Sequence, residues 1–218
     1  MHDELTGEEG SGPWPAFADL LAATTLLFLV LFAAVAVPAI HHASEADARE
    51  NTLKMVKAAI DSADNDSRVS VRRVGDYLLV RIEGDATFPR DRFELATLKP
   101  EGKEILRGFG EVLKKDTVLH AIDQVQVVGH TSHEGSAERN WILSASRAAT
   151  VSLFLIDSVG LPACRVSALG RSRYYPVNPA ASGRVDERDR RIELEIRPVI
   201  PSDTVQQARR RSCVEDTE

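Results

Sequence analysis

Asp19 is the only ionisable residue in the run AFADLLAATTLLFLVLFAAVAV, from Ala16 to Val37. A charged, unpaired carboxylate in hydrocarbon is costly, so such a group is neutralised, hydrated or paired. Low-dielectric surroundings favour the neutral form of a carboxylate, and a group that alternates between charge states can carry an ion. The simpler alternative is an Asp near a helix end that reaches headgroup water. Thr24 and Thr25 follow about 1.5 turns later; they could hydrate or ligate an ion, or bond their own backbone, as Thr in membrane helices commonly does. The apolar surroundings favour H⁺ over Na⁺. Elsewhere, His130, His133 and Glu134 are metal-ligand types close in sequence, but no compatible distant ligand accompanies them, so no metal centre is expected. Cys164 and Cys213 lack CxxC spacing, which argues against zinc; in an oxidising compartment they could form a disulfide. No motif supplies a nucleophile–base pair or paired carboxylates, so an enzyme ranks last and no cofactor is expected.

The apolar run is about 22 residues, roughly 33 Å of helix, enough to cross a bilayer. Trp14 stands at its start and Pro38 at its end, which gives a membrane helix over 14–38 after a short N-terminus, 1–13. A cleaved signal peptide fits poorly, because the leading segment is acidic and the run is long. The first 38 residues hold five acidic groups and no Lys or Arg. Arg49, Lys54 and Lys57 follow the helix, so charge bias alone would place the N-terminus outside. The 218-residue chain carries a net charge of −6, which argues against nucleic acid as its main partner.

Beyond the run the sequence reads as one α+β domain. Leu53, Val56 and Ile60 form an apolar stripe on a charged helix within 39–67, a linker, plug or dimer coil. Val69 and Val71, then Leu78, Val80 and Ile82, flank Gly75-Asp76 as a β-hairpin. A helix from Pro100 presents Ile105, Leu106, Phe109, Val112 and Leu113 on one face. IDQVQVVG is a strand, SAERN to Gly160 an amphipathic helix with a glycine C-cap, and CRVSALG another strand. RRIELEIRP alternates Ile192, Leu194 and Ile196 with Glu193, Glu195 and Arg197, a last strand with one wet face. This order predicts a mixed sheet with helices on one face over 68–198, followed by a polar tail, 199–218.

GHT at 129–131, Asn140, LS at 143–144 and RA at 147–148 resemble, in order, the signature of the OmpA-like peptidoglycan-binding domain. DATF and LKPEGKEIL are similar to that family's opening strand and first helix, and GRSRYYPV and DRRIELEI to its closing strands. WPAFADLLAATTLLFLVLF resembles the membrane helix of MotB-type stator subunits. The combination is most similar to the B subunit of the Zorya anti-phage defence system, partly because the basic N-terminal tail of flagellar MotB proteins is missing. The resemblance implies a dimeric, single-pass inner-membrane subunit, with its N-terminus in the cytoplasm and its OmpA-like domain in the periplasm. A ring of MotA-like multi-helix subunits would surround it, with Asp19 as the ion-carrying residue. A flagellar stator and a passive membrane-to-wall tether remain the alternatives.

The same resemblance assigns the peptidoglycan-binding residues. The family binds the peptide stem, which offers carboxylates and an ammonium group, and planar guanidinium forks suit carboxylates. Its Arg falls on Arg147 and its Asn on Asn140, with Leu143 packing beneath and Thr131, Gly129 and His130 at the rim. Arg190 and Arg191 match its closing basic pair, of which Arg191 is taken as the binding residue. Asp189 stands where the family usually has Asn. Ser132 replaces the family's Asp, which binds the ligand's ammonium, and Glu134 is the nearest substitute. Taken on their own, Arg147 could be a surface ion-pair residue and Asn140 a helix N-cap.

Overall fold

The computed structural model describes residues 13–61, 68–181 and 183–200 together with residues 206, 208 and 213. The N-terminal twelve residues, the 62–67 break and most of the polar tail lie outside the described residues. The chain divides into two compact units, 1–46 and 47–218.

In the first unit the helix α1 (Trp14–Asp61) contains an apolar span, Trp14–Ile40, with mean hydropathy 2.7 and none of it buried. Leu26 to Phe32 are consecutive and all exposed, so every side of the helix is apolar. That is the pattern of a helix whose solvent is lipid or other helices. Pro38 does not end this helix as the sequence suggested; it lies inside. Proline removes one backbone donor, a loss that helices with apolar surroundings accommodate.

The second unit starts inside the segment expected to be a linker. Leu53, Val56 and Ile60 on the last turns of α1 are buried in the hydrophobic core. Burial of each such side chain stabilises by about 1.5–3 kcal/mol, so these turns are part of the domain. The sheet follows, with β1 (Val69–Val74), β2 (Tyr77–Glu83), β3 (Ile122–His130), β4 (Val166–Gly170) and β5 (Arg191–Pro198) in the order β1-β2-β5-β3-β4. All pairings are antiparallel except β3 with β4. The fold is therefore the expected α+β arrangement with a mixed sheet.

Helices α3 (Pro100–Leu113) and α5 (Ala137–Leu153) supply the apolar cover. Pro100 opens α3 where its missing N–H costs nothing. Ser136 caps α5 by accepting the Arg139 N–H at 3.2 Å. The end of α5 widens into a π-helical turn, Phe154–Val159, and Gly160 closes it at φ 87°. Gly129 matters for packing instead. A Cβ there would stand 2.1 Å from the Ser144 carbonyl oxygen, so only glycine lets α5 lie this close to β3.

Three local expectations fail. DATF is not a strand: Gly84–Thr87 form a one-turn helix, α2, and Phe88 turns into the core. GRSRYYPV leaves the sheet after Gly170 and continues as a loop. β5 has no wet face, because Glu193 and Glu195 are only 3% and 1% exposed. The sequence reading also missed the short helix α4 (Asp116–Ala121).

Cys164 and Cys213 are joined by a disulfide with Cα atoms 5.7 Å apart, closing 49 residues of chain. A loop of that length corresponds to a stabilisation of about 4 kcal/mol by the chain-entropy model, and less where the reduced chain retains structure. Reduction is expected to lower the melting temperature by roughly 5–15 °C, read by calorimetry with and without reductant.

Candidate functional site

Asn140, Leu143 and Arg147 fall at i, i+3 and i+7 on α5, so one helix face presents all three. They line a cleft with Thr131 and Ser132 from the end of β3, Arg90 and Asp91 from the loop before α3, and Glu134 and Arg190. The sequence-predicted set therefore converges, with the exception of Arg191. Thr131 is held by its N–H, which donates to the Ser172 carbonyl at 3.0 Å. Asn140 Nδ2 donates to the Glu134 carbonyl at 2.7 Å and to that of Ser132 at 3.4 Å, pinning the rim loop. It is a buried helix residue; the N-cap is Ser136.

Arg147 is 4% exposed and forms no ion pair among the described residues. Its Nε donates to the Arg92 carbonyl and its Nη2 to the Pro89 carbonyl, both at 2.9 Å. The guanidinium lies 5.6 Å from the Phe88 ring centroid. Burial, and next the Arg190 charge, push its pKa down to about 10, while Asp91 acts in the opposite sense. It stays cationic at neutral pH. Two polar atoms in this cleft are buried without a hydrogen-bond partner, Thr131 Oγ1 and Arg190 Nη1. A carboxylate entering beside Arg147 would meet three groups able to donate to it.

Acidic side chains stand at the mouth of the same cleft. Glu134 lies 3.6 Å from Arg90 and 3.9 Å from Arg190, and Asp91 3.3 Å from Arg139. The charge absent at Ser132 is thus present nearby, on longer or differently rooted side chains. Asp91, at φ 57°, was not foreseen. Its only sequence signal is the Pro89-Arg90-Asp91 turn, which carries no functional meaning alone.

Arg191 lies elsewhere for a geometric reason. Arg190 ends the turn before β5 and Arg191 is the first residue of the strand, and their side chains leave the chain on opposite sides. Arg190 faces the cleft; Arg191 faces the other side, where its Nε donates to Glu193 at 2.8 Å and its Nη2 to the Tyr175 carbonyl at 3.1 Å. His130 joins it there, with Nε2 3.0 Å from Glu193, so its side chain is not at the cleft rim. Asp189 is structural too: it accepts the Val177 N–H at 2.7 Å.

This buried cluster predicts an acid limit. Burial, opposed in part by the Glu193 hydrogen bond, lowers the His130 pKa below its usual value. Burial works to raise Glu193, but His130 and Arg191 outweigh it and hold the carboxyl well below the usual range. Both folded pKa values are depressed, so the associated stability is present above the unfolded values and lost as pH falls through the folded ones. Denaturant midpoints are expected to hold steady above about pH 7, decline below about pH 6.5 and fall further below about pH 4.5. In Glu193→Gln the lowest-pH decline should shrink.

Residues 87–190 match the family model described as the OmpA family. The cell wall anchor of the T6SS from Pseudomonas aeruginosa is 30% identical; the match covers 67% of this chain and 97% of that one, with a TM-score of 0.51. The chain belongs to the OmpA family. The probable lipoprotein YiaD of Escherichia coli (strain K12) is 34% identical over 134 residues, 60% of this chain and 56% of that protein. The chain spans about half the length of the curated relatives it matches. A putative MotB like protein from Desulfovibrio vulgaris shares the fold, with a TM-score of 0.58 at 18% identity, over 72% of this chain and 94% of that one.

Outside the OmpA-like domain, Asp19 is exposed on α1. The Thr24 hydroxyl donates to the Leu20 and Leu21 carbonyls at 2.9 and 3.0 Å, and Thr25 donates to Leu21 at 2.6 Å. Offsets of five and six residues turn these side chains about 120–140° away from Asp19 around the helix. Their hydroxyl protons are used on backbone carbonyls.

Proposed function

We propose that this chain is an ion-driven, inner-membrane subunit of the MotB stator type, fixed to peptidoglycan by its OmpA-like domain. The observation that carries the reading is the joining, in one chain, of two features. One is an apolar span bearing the single carboxylate Asp19; the other is a cleft lined by the buried Arg147, where Arg190 Nη1 and Thr131 Oγ1 have no hydrogen-bond partner. The cleft takes a carboxylate of the wall's peptide stem, and Glu134 and Asp91 at its mouth take the ammonium. Asp19 carries the transported ion, H⁺ in preference to Na⁺. The chain dimerises inside a ring of MotA-like subunits, with its N-terminus cytoplasmic and its OmpA-like domain periplasmic. The disulfide suits such an oxidising compartment. With the wall as a fixed reference, ion passage becomes rotation or a conformational cycle, and the biological role is Zorya-like anti-phage defence.

A passive tether is favoured by one observation: YiaD, which is similar over the OmpA-like region, is named a lipoprotein. Phage protection in cells carrying the native gene neighbourhood separates the two. Asp19→Asn should abolish protection at matched membrane levels. Equal protection by both versions would leave only the tether. If neither version protects, the defence role fails and swimming motility becomes the assay for the same mechanism.

A further inference from the structure

The sheet face turned away from the helices holds a second cleft, between the loop after β4 and the β1–β2 hairpin. Arg81, Arg191 and Glu193 lie in it, with Arg72, Arg171 and three tyrosines around them. Its charges do not balance. Glu193 is answered by Arg81 at 3.0 Å and Arg191 at 2.8 Å, and Glu195 by Arg171 at 2.9 Å and Arg197 at 3.0 Å. Arg72 has no ion pair among the described residues and is exposed. The four guanidinium groups that line the cleft, Arg72, Arg81, Arg171 and Arg191, therefore meet two carboxylates, Glu193 in the lining and Glu195 paired with Arg171, leaving two positive charges.

The cleft also holds polar atoms without protein partners. His130 is 1% exposed and lines the cleft; its Nε2–H is held on Glu193, which leaves Nδ1 as an unpartnered acceptor for a hydroxyl of a bound group. No protein group takes the hydroxyls of Tyr77, Tyr174 or Tyr175 among the described residues. Arg171 stacks on Tyr175 at 5.1 Å, which stiffens the fork that faces the opening. Arginine forks and phenol donors around a surplus of two charges suit a compact dianion better than a single carboxylate.

We propose that this cleft binds a phosphate group, free or esterified. The proposal stands independently of the wall-binding reading, because the two clefts lie on opposite sides of the sheet and share no lining residue.

The test is calorimetric titration of the detergent-solubilised full chain with inorganic phosphate and with sn-glycerol 3-phosphate, at matched ionic strength. Both probes should bind saturably, and Arg72→Glu should weaken both at least tenfold without lowering the melting temperature. Tyr77→Phe, which keeps the ring, should weaken them several-fold, and Arg147→Ala should leave them unchanged. Tighter binding of the ester identifies an organic phosphate such as a lipid headgroup, and equal binding identifies free phosphate. No saturable binding by the wild type, or undiminished binding by both Arg72→Glu and Tyr77→Phe, overturns the proposal.

Discussion

Asp19→Asn is expected to reduce ion conductance to background when the chain is expressed with a MotA-like partner, while membrane insertion and wall binding stay unchanged. The substitution keeps size and hydrogen-bonding capacity but removes the group that alternates between charged and neutral forms. No other ionisable side chain lies between Ala16 and Val37 to take over. Thr24 and Thr25 cannot replace it, since neither titrates and both hydroxyls bond their own helix. Removal of an intramembrane carboxylate that carries the ion eliminates the step outright, so the loss should be complete instead of graded. Proton uptake into poised vesicles measures it, with Asp19→Glu expected to retain part of the flux.

Arg147→Ala is expected to weaken binding of a soluble stem peptide roughly a hundredfold, about 3 kcal/mol, the scale for removing one partner of a buried charge-assisted pair. The guanidinium has two roles. Its Nε and Nη2 tie down the 89–92 loop, which carries Arg90 and Asp91, and the remainder faces the cleft. Lysine cannot reproduce both, so Arg147→Lys should fail to restore binding. Loss through loop collapse is separated from loss of contact by Thr131→Val. That change removes a hydroxyl with no partner in the protein and should cost about 1 kcal/mol in binding with no loss of stability. Fluorescence titration with the peptide, alongside melting curves, reads both.

Much of this domain was legible because its periodicities are strong. The α3 stripe, the hairpin around Gly75-Asp76 and the Leu53, Val56 and Ile60 triplet are all buried as their spacing indicates. The motif on α5 was legible for a local reason: a helix fixes the relation of Asn140, Leu143 and Arg147 whatever lies around it. What escaped depends on tertiary context. Alternation in β5 marked Glu193 and Glu195 as solvent-facing, yet arginines from β2, β5 and the loop after β4 cover them. Pairing of distant cations with a strand's polar face leaves no period in sequence. Arg190 and not Arg191 lines the cleft, because the two side chains leave the turn-to-strand junction on opposite sides, and a motif match does not record which one faces the cleft. Asp91 was invisible, because its place at the cleft is set by a left-handed turn and by Arg147 bonding the loop.

The most direct measurement is co-sedimentation of the detergent-solubilised full-length protein with purified peptidoglycan sacculi, in the presence of increasing soluble stem peptide. The wild-type chain should pellet with sacculi and be released as the peptide saturates the Arg147 cleft, whereas Arg147→Ala should stay in the supernatant. Pelleting that the peptide cannot compete away, or that survives in Arg147→Ala, would contradict the wall-anchor account at its centre.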